Sequence, residues 1–313
     1  MDNNPQSQPA SVPAVKCRWC GYTAASAGDT TCPRCGASLA VSIRTDAAGW
    51  SELPPVSNMT RIRMGAGTCQ IEGETVPVAD FNLREPDGIF FSHHYLLWRD
   101  VNVTLSTMSI AGGMKRLLGG LPLFMTRAGG TGHVALSRDV PGEIIAIPLD
   151  PGQEVDVREH MFLAATGTID YQLMDSNIWF QQQSRNDSND TDTVYPIGWY
   201  VDRFYSEKKP GLLLLHCSGN CFTRRLAENE TLLIKPTSFV FKDKSVHMQL
   251  HFEYPQSTFS YDGFNPRLRG YRPKFTWIAL RGPGRVAIQS AYEPMEGEYM
   301  RVDWSSACTQ QFW

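Results

Sequence analysis

No stretch of the 313 residues holds the roughly 20 consecutive apolar residues that a membrane-spanning helix needs. Positive charge does not dominate either: 29 Lys and Arg stand against 32 Asp and Glu, for a net charge of −3. A broad phosphate-binding face is therefore not expected, and nucleic acid ranks low among partners. The motifs that announce common chemistries are missing: there is no G-x-S-x-G elbow, no H-E-x-x-H and no phosphate-binding P-loop. Helical periodicity is weak throughout, and the one candidate helical turn lies near 112–118. The opening MDNNPQSQPASVPAV has no signal-peptide plan and reads as a disordered, proline-rich lead-in over 1–13. The cysteines do not form the spread-out framework of a secreted, disulfide-held protein, so a cytoplasmic setting is expected.

What the chain does have is a cysteine cluster. CRWCGYTAASAGDTTCPRCG carries Cys17-x2-Cys20, eleven further residues, then Cys32-x2-Cys35, with Gly21 and Gly36 after the two pairs. Two thiolates at this spacing share one tight knuckle, and the glycine lets backbone amides turn toward the sulfurs. Two knuckles complete a tetrahedral four-sulfur site, which suits structural zinc. The competing readings are a redox pair, which normally comes singly at a helix start, and two disulfides. A module of this size cannot build a sufficient core, so the metal must hold it. All four positions are protein ligands, so the site is closed and not catalytic. Residues 14–42 thus read as a zinc ribbon, a kind of module that usually contacts partners. Residues 43–60, with LPP and no period, read as a linker that few contacts cross. Cys217 and Cys221, four apart beside a turn, read as reduced core thiols.

From Arg61 to about residue 304 the pattern is β: GHVALS, EIIAIPL, GLLLLHC, TLLIKP, SFVFK and GRVAIQS are short apolar runs broken by Gly, Pro, Asn and Asp. Residues 305–313 are a tail. Three segments, 82–98, 148–164 and 225–241, align without gaps on Leu83, Leu149 and Leu226. Six positions on stand Ile89, Val155 and Leu232, and eight on stand Phe91, Val157 and Ile234. Thirteen on stand Leu96, Phe162 and Phe239, and fifteen on stand Trp98, Ala164 and Phe241. The inward parity switches between the two sets, so each copy reads strand, turn, strand, with the turn nine to twelve positions after the leucine. The charged group Asp156, Arg158, Glu159 and His160 looks like an active site, but His93-His94 and Pro236-Thr237 occupy the equivalents of Glu159-His160. The expectation is a turn for Glu159 and His160, and outward strand positions for Asp156 and Arg158. Gly65-Ala-Gly67, Gly130-Thr-Gly132, Ser218-Gly219-Asn220 and Gly282-Pro-Gly284 precede strands and are expected to be hairpin turns.

Other candidates are weaker. His247, His251 and Glu253 share one strand parity and could hold a metal, but an ordinary polar face is the simpler reading. DSNDTD (187–192) lacks the glycine and closing glutamate of an EF-hand and reads as a solvated hairpin loop. RLRGYRPKF (267–275) is a short basic stretch. SIAGGMKRLLGGLPLFM (109–125) is either a buried connection or an apolar loop that touches a membrane surface or a partner.

HHYLLWRDVNV (93–103), GLPLFMTRAGGTGHVALS (120–137), GEIIAIPLDPGQEVDVREHMFLA (142–164) and WIALRGPGRVAIQS (277–290) resemble the family named for altered inheritance of mitochondria protein 24. The resemblance covers about 61–304. It implies a duplicated all-β fold of the tryptophan-attenuation-protein type, a sandwich or barrel, and an oligomer, with a trimer favoured. It supplies no catalytic residues, so none is assigned, and no cofactor beyond zinc on Cys17, Cys20, Cys32 and Cys35. The added ribbon suggests a bacterial branch. The expected function is a non-enzymatic oligomeric scaffold whose ribbon contacts protein partners. The alternative is RNA binding, because ribbons often bind nucleic acid and the fold's namesake binds RNA. A metal- or small-molecule-dependent enzyme comes third.

Overall fold

Almost every apolar run becomes an antiparallel strand, and the only helical segments among the described residues are two single 3-10 turns, His93–Tyr95 and Pro236–Ser238. The structure, a computed structural model, describes residues 15–17, 19–24, 31–37, 39, 48–53, 60–108, 125–183, 191–253 and 275–291. The expected lead-in, the turn near 112–118, the tail, most of 109–125, most of DSNDTD and all of RLRGYRPKF but Phe275 lie outside the described residues.

Four sheets make up the bulk of the fold. A five-stranded sheet runs, in spatial order, Arg61–Met64, Gly67–Glu72, Val78–Leu83, Gly132–Ser137 and Leu96–Arg99. A six-stranded sheet runs Glu143–Leu149, Gly211–Cys217, Phe162–Thr166, Ile89–Ser92, Met125–Gly130 and Val103–Met108. A seven-stranded sheet runs Asp170–Asp175, Tyr200–Tyr205, Glu154–Arg158, Phe239–Asp243, Gly284–Gln289, Cys221–Leu226 and Ser51–Leu53. A three-stranded sheet runs Thr231–Ile234, Phe275–Arg281 and His247–Glu253. None closes into a barrel, so the barrel alternative is corrected to stacked open sheets.

Three hydrophobic clusters lie between the sheets and fix the stacking order. Ile62, Phe81 and Val134 of the five-stranded sheet share one cluster with Ile89, Ile144 and Leu214 of the six-stranded sheet. Phe90, Ile145 and Leu213 of the six-stranded sheet share a second with Val155, Phe204 and Phe241 of the seven-stranded sheet. Val201, Phe239 and Val286 of the seven-stranded sheet share the third with Ile234, Ile278 and Leu280 of the three-stranded sheet. Strand alternation explains how. In EIIAIPL, Ile144 and Ala146 face the first cluster, while Ile145, Ile147 and Leu149 face the second. Four strands of the six-stranded sheet, EIIAIPL, GLLLLHC, FLAAT and IFFS, are covered on both faces, which is why they read as nearly unbroken apolar runs. Between the second pair of sheets, Phe162 lies with its ring centroid 5.5 Å from Phe90 and 4.7 Å from Phe204. Each such aromatic pair adds about 0.5–1.5 kcal/mol beyond the area it buries.

The three leucine-anchored segments each step one layer across and back. The first goes from the five-stranded sheet (Val78–Leu83) to the six-stranded (Ile89–Ser92) and returns (Leu96–Arg99). The second goes from the six-stranded (Glu143–Leu149) to the seven-stranded (Glu154–Arg158) and returns (Phe162–Thr166). The third goes from the seven-stranded (Cys221–Leu226) to the three-stranded (Thr231–Ile234) and returns (Phe239–Asp243). Leu83, Leu149 and Leu226 are all buried. Trp98 departs from the expected pattern: it is 45% exposed, because its strand is the outer edge of the outermost sheet.

Two further expectations are corrected. Only Gly65-Ala-Gly67 joins two paired strands. The turns at Gly130–Gly132, Ser218–Asn220 and Gly282–Gly284 each carry the chain from one sheet into a neighbouring layer, so they are corners between layers and not hairpins. The stretch read as a linker contains the strand Ser51–Leu53, which pairs with Cys221–Thr223 at the edge of the seven-stranded sheet.

Candidate metal centre

The two cysteine knuckles have the same local geometry, as their matching sequences demand. The amide of Gly21 donates to the Cys17 carbonyl at 2.9 Å and that of Gly36 to the Cys32 carbonyl at 2.8 Å. One residue further on, Cys17 N donates to Tyr22 O and Cys32 N to Ala37 O, both at 2.7 Å. Each loop closes only because its glycine adopts the left-handed region, with φ of 73° at Gly21 and 72° at Gly36. The hairpin Val15–Lys16 with Thr23–Ala24 carries the first knuckle.

The knuckles face each other. Cys17 Sγ lies 3.7 Å from Cys35 Sγ and Cys20 Sγ 3.6 Å from Cys32 Sγ. All four sulfurs lie within 4.8 Å of one another. A tetrahedral zinc with Zn–S bonds of about 2.3 Å sets sulfur–sulfur edges of about 3.8 Å, so the quartet could hold such an ion with little movement. The thiols' own acidity points the same way. A hydrogen bond with Cys35 draws Cys20 down to about 5 against the effect of burial. Burial pushes Cys32 up to about 11, and the bond to Cys20 together with burial raises Cys35. One thiolate is thus stabilised by neighbouring thiols, and further ionisation requires a cation. Among the described residues this is the only such group of His, Cys, Asp and Glu.

The centre is not hung on a free linker. Cys17, Cys32, Cys35 and Ala37 belong to the same buried cluster as Ile62, Met64 and Cys69, with Trp19 packed against it. Arg63 N donates to Pro33 O at 3.1 Å, and Arg34 Nη2 reaches Asp150 Oδ1 at 2.6 Å. A module without a core of its own covers its apolar underside with the edge of the five-stranded sheet. The expected separation of ribbon from core is corrected accordingly.

The charged group at 156–160 divides. His160 is exposed, in the turn, with φ of 66°. Glu159 Oε1 accepts from Tyr200 N at 2.6 Å and so fastens that turn to the neighbouring strand. Arg158 Nη1 donates to the Thr237 carbonyl at 2.6 Å. Asp156 does not lie on the surface: it is 3% exposed. It faces away from Val155 and Val157, but that side of the sheet is covered as well. Directly across the strands stand Arg203 and Lys242. Arg203 donates Nε to Oδ1 at 2.6 Å and Nη2 to Oδ2 at 3.0 Å, and Lys242 Nζ lies 2.8 Å from Oδ2. Burial opposes ionisation of Asp156, but the two cations outweigh it and hold the carboxyl below the usual carboxylate range. A signal for this burial was available. The equivalent of Asp156 in the first copy, seven positions after its anchor, is Phe90, which is fully buried.

His247 and His251 are both exposed on a strand of the three-stranded sheet, and the structure does not gather them into a metal group. Cys217 and Cys221 are free and fully buried, and their mutual hydrogen bond and burial raise Cys221 far above the ordinary thiol range. Sequence reasoning missed His216, hidden in the apolar GLLLLHC run. It is 1% exposed, with Nδ1 at 3.5 Å from Arg138 Nη1. Burial, helped by Arg138, lowers it to about 4.

Stacked antiparallel sheets with a four-cysteine group packed on their edge define the class: an all-β protein whose one group of metal-binding geometry among the described residues sits on two cysteine knuckles against the five-stranded sheet. Residues 69–291 match the family model described as mitochondrial biogenesis AIM24, and the chain belongs to that family. The cysteine group lies before the matched region. A crystal structure of a Streptococcus pyogenes protein is similar at 20% identity with a TM-score of 0.50, covering 72% of this chain and 94% of that one, and shares the fold. No curated protein matches the chain. None of the described helices is long and apolar enough to cross a membrane.

Proposed function

We propose that the protein is a non-enzymatic, self-associating scaffold in the cytoplasm, with a structural zinc on Cys17, Cys20, Cys32 and Cys35 and a zinc ribbon that contacts protein partners. The observation that carries this reading is the closed quartet. Four protein thiolates leave no coordination position for a substrate, so a metal there serves shape. The ribbon presents Tyr22, 40% exposed, an aromatic of the kind that anchors protein contacts. Self-association, as a trimer, draws support from the outer edge of the five-stranded sheet, where Leu97 and Trp98 are exposed and Val101 follows at 92% exposure. An uncovered apolar edge strand invites pairing with another chain. We read the three layer-crossing segments as a tryptophan-attenuation-protein-like duplication, and the 109–125 segment as a secondary contact surface.

Affinity capture with the full-length protein tests the scaffold reading. Tyr22→Ala should keep its zinc and its oligomeric state and lose at least one partner. Cys32→Ser/Cys35→Ser should lose both zinc and partner. An identical partner set in both variants would leave the ribbon without the role assigned to it. Retention of RNA that weakens steeply with salt would favour the nucleic-acid alternative.

A further inference from the structure

One groove of this protein gathers several cations around an apolar floor. It opens at one end of the gap between the five- and six-stranded sheets, where the 84–88 loop, the Gly167–Thr168 turn and the Lys209–Pro210 turn converge, and has a volume of about 710 Å³. That is within the size range, about 300–1,000 Å³, in which small-molecule sites fall. Its floor is the buried apolar surface around Phe81, Ile89 and Leu212. Much of its wall is glycine, Gly88, Gly129 and Gly167 among them, so backbone is within reach of an occupant.

The charges decide what that occupant is. Arg63, Arg84, Arg127 and Lys209 line the groove and are exposed, and none makes an ion pair among the described residues. Arg34, contributed by the second cysteine knuckle, is a fifth cation, fixed by Asp150 at 2.6 Å. Against them stand two carboxylates, Glu85 and Asp87, and Asp87 already accepts the Ala66 amide at 2.5 Å. With Arg34 balanced by Asp150, four free cations against two acids remain, a local excess in a chain whose net charge is −3. Three of the free cations are arginines, whose planar forks match phosphate oxygens in pairs. They come from three separate places in the chain, so the fold, not a local basic run, gathers them.

We propose that this groove binds a small phosphate ester. The phosphate lies among Arg63, Arg84, Arg127 and Lys209, and the less polar body rests on the Phe81–Ile89–Leu212 floor. The inference stands independently of the metal centre. The same chemistry is presented by a soluble phosphorylated metabolite and by an anionic phospholipid headgroup, and the experiment separates the two.

Full-length protein is titrated calorimetrically with pyrophosphate and with ADP, and is floated with vesicles of phosphatidylcholine alone or mixed with phosphatidic acid. Saturable binding to pyrophosphate or ADP identifies a soluble ligand. Flotation only with phosphatidic acid identifies a headgroup. In either case Arg63→Gln/Arg127→Gln should weaken binding by about tenfold or more, since each charge-assisted hydrogen bond is worth well over a factor of two. Arg225→Gln, on the seven-stranded sheet and outside the groove, should leave it unchanged. Both groove arginines are exposed, so melting temperature and metal content of the double variant should match the parent and separate lost binding from lost folding. The proposal is overturned if no probe binds, if the double variant binds as tightly as the parent, or if the protein retains RNA but none of the small phosphates or vesicles.

Discussion

Replacing Asp156 by Asn keeps the side chain's shape and removes its charge, leaving Arg203 and Lys242 together in a covered site. The Lys242 side chain is 8% exposed and that of Arg203 18%, so water can relieve little of the resulting repulsion. Breaking a buried ion pair by removing one partner costs about 3–5 kcal/mol. For a chain of this size, each kcal/mol moves the melting temperature by roughly 2–4 °C, so a fall of about 6–20 °C is expected at neutral pH. His160→Ala, four residues on from Asp156 and exposed, should change stability by less than about 1 kcal/mol. Calorimetric melts of the two variants beside the parent make the comparison. A third variant sharpens it: Asp156→Leu/Arg203→Met/Lys242→Met swaps the whole group for apolar side chains and should recover most of the loss, because the penalty comes from stranded charge. If Asp156→Asn melts no lower than His160→Ala, the three groups do not form a buried charge network and the assignment fails.

Three further outcomes are expected. Purified protein should hold about one zinc per chain, and Cys32→Ser/Cys35→Ser close to none by elemental analysis; because the quartet shares a hydrophobic cluster with Ile62 and Met64, the same variant should also melt lower, which an independent ribbon would not show. Leu149→Ala, at a fully buried position, should cost about 2–5 kcal/mol in denaturant titrations, and Leu83→Ala and Leu226→Ala should fall in the same range. His216 binds its proton less readily folded, at about 4, than unfolded, near 6.5, so the unfolded chain takes up the proton first as pH falls. Its contribution is whole above about pH 6.5 and declines by roughly 3 kcal/mol toward pH 4, and His216→Gln should flatten the stability profile in that window. Asp156, depressed in the folded state, acts lower, losing its contribution only as pH drops below the unfolded carboxylate value near 4.

The cysteine quartet was readable residue by residue, because a C-x-x-C-G knuckle is a local structure and its glycine is required by its own backbone. The strand–turn–strand alignment was readable for the same reason: alternation is a property of neighbours. The number of layers was not. Alternation tells which residues share a face but not whether water or a sheet lies beyond it, so by alternation alone Asp156 reads as outward and the corners at Gly130–Gly132, Ser218–Asn220 and Gly282–Gly284 read as hairpins. The one cue was comparative, in Phe90 at the position equivalent to Asp156. Nothing local could reveal the groove, whose arginines are distant in sequence and lie scattered through a chain of acidic balance.

The six-stranded sheet, with an apolar cluster on each side, has a consequence for how this protein can change. A strand with one wet face offers alternate sites where polar letters are free to drift. Here Ile144 and Leu214 face one cluster and Ile145 and Leu213 the other, so consecutive residues are constrained alike. A saturation scan through 143–149 and 211–217 should therefore show a solid block of intolerance with no two-residue beat. The same scan through Arg61–Met64, on the outer sheet with Arg61 and Arg63 exposed and Ile62 and Met64 buried, should show the beat plainly. The middle of the stack is thereby the slowest part of the molecule to diversify, and its variation is left to the outermost strands, the cysteine knuckles and the rim of the groove.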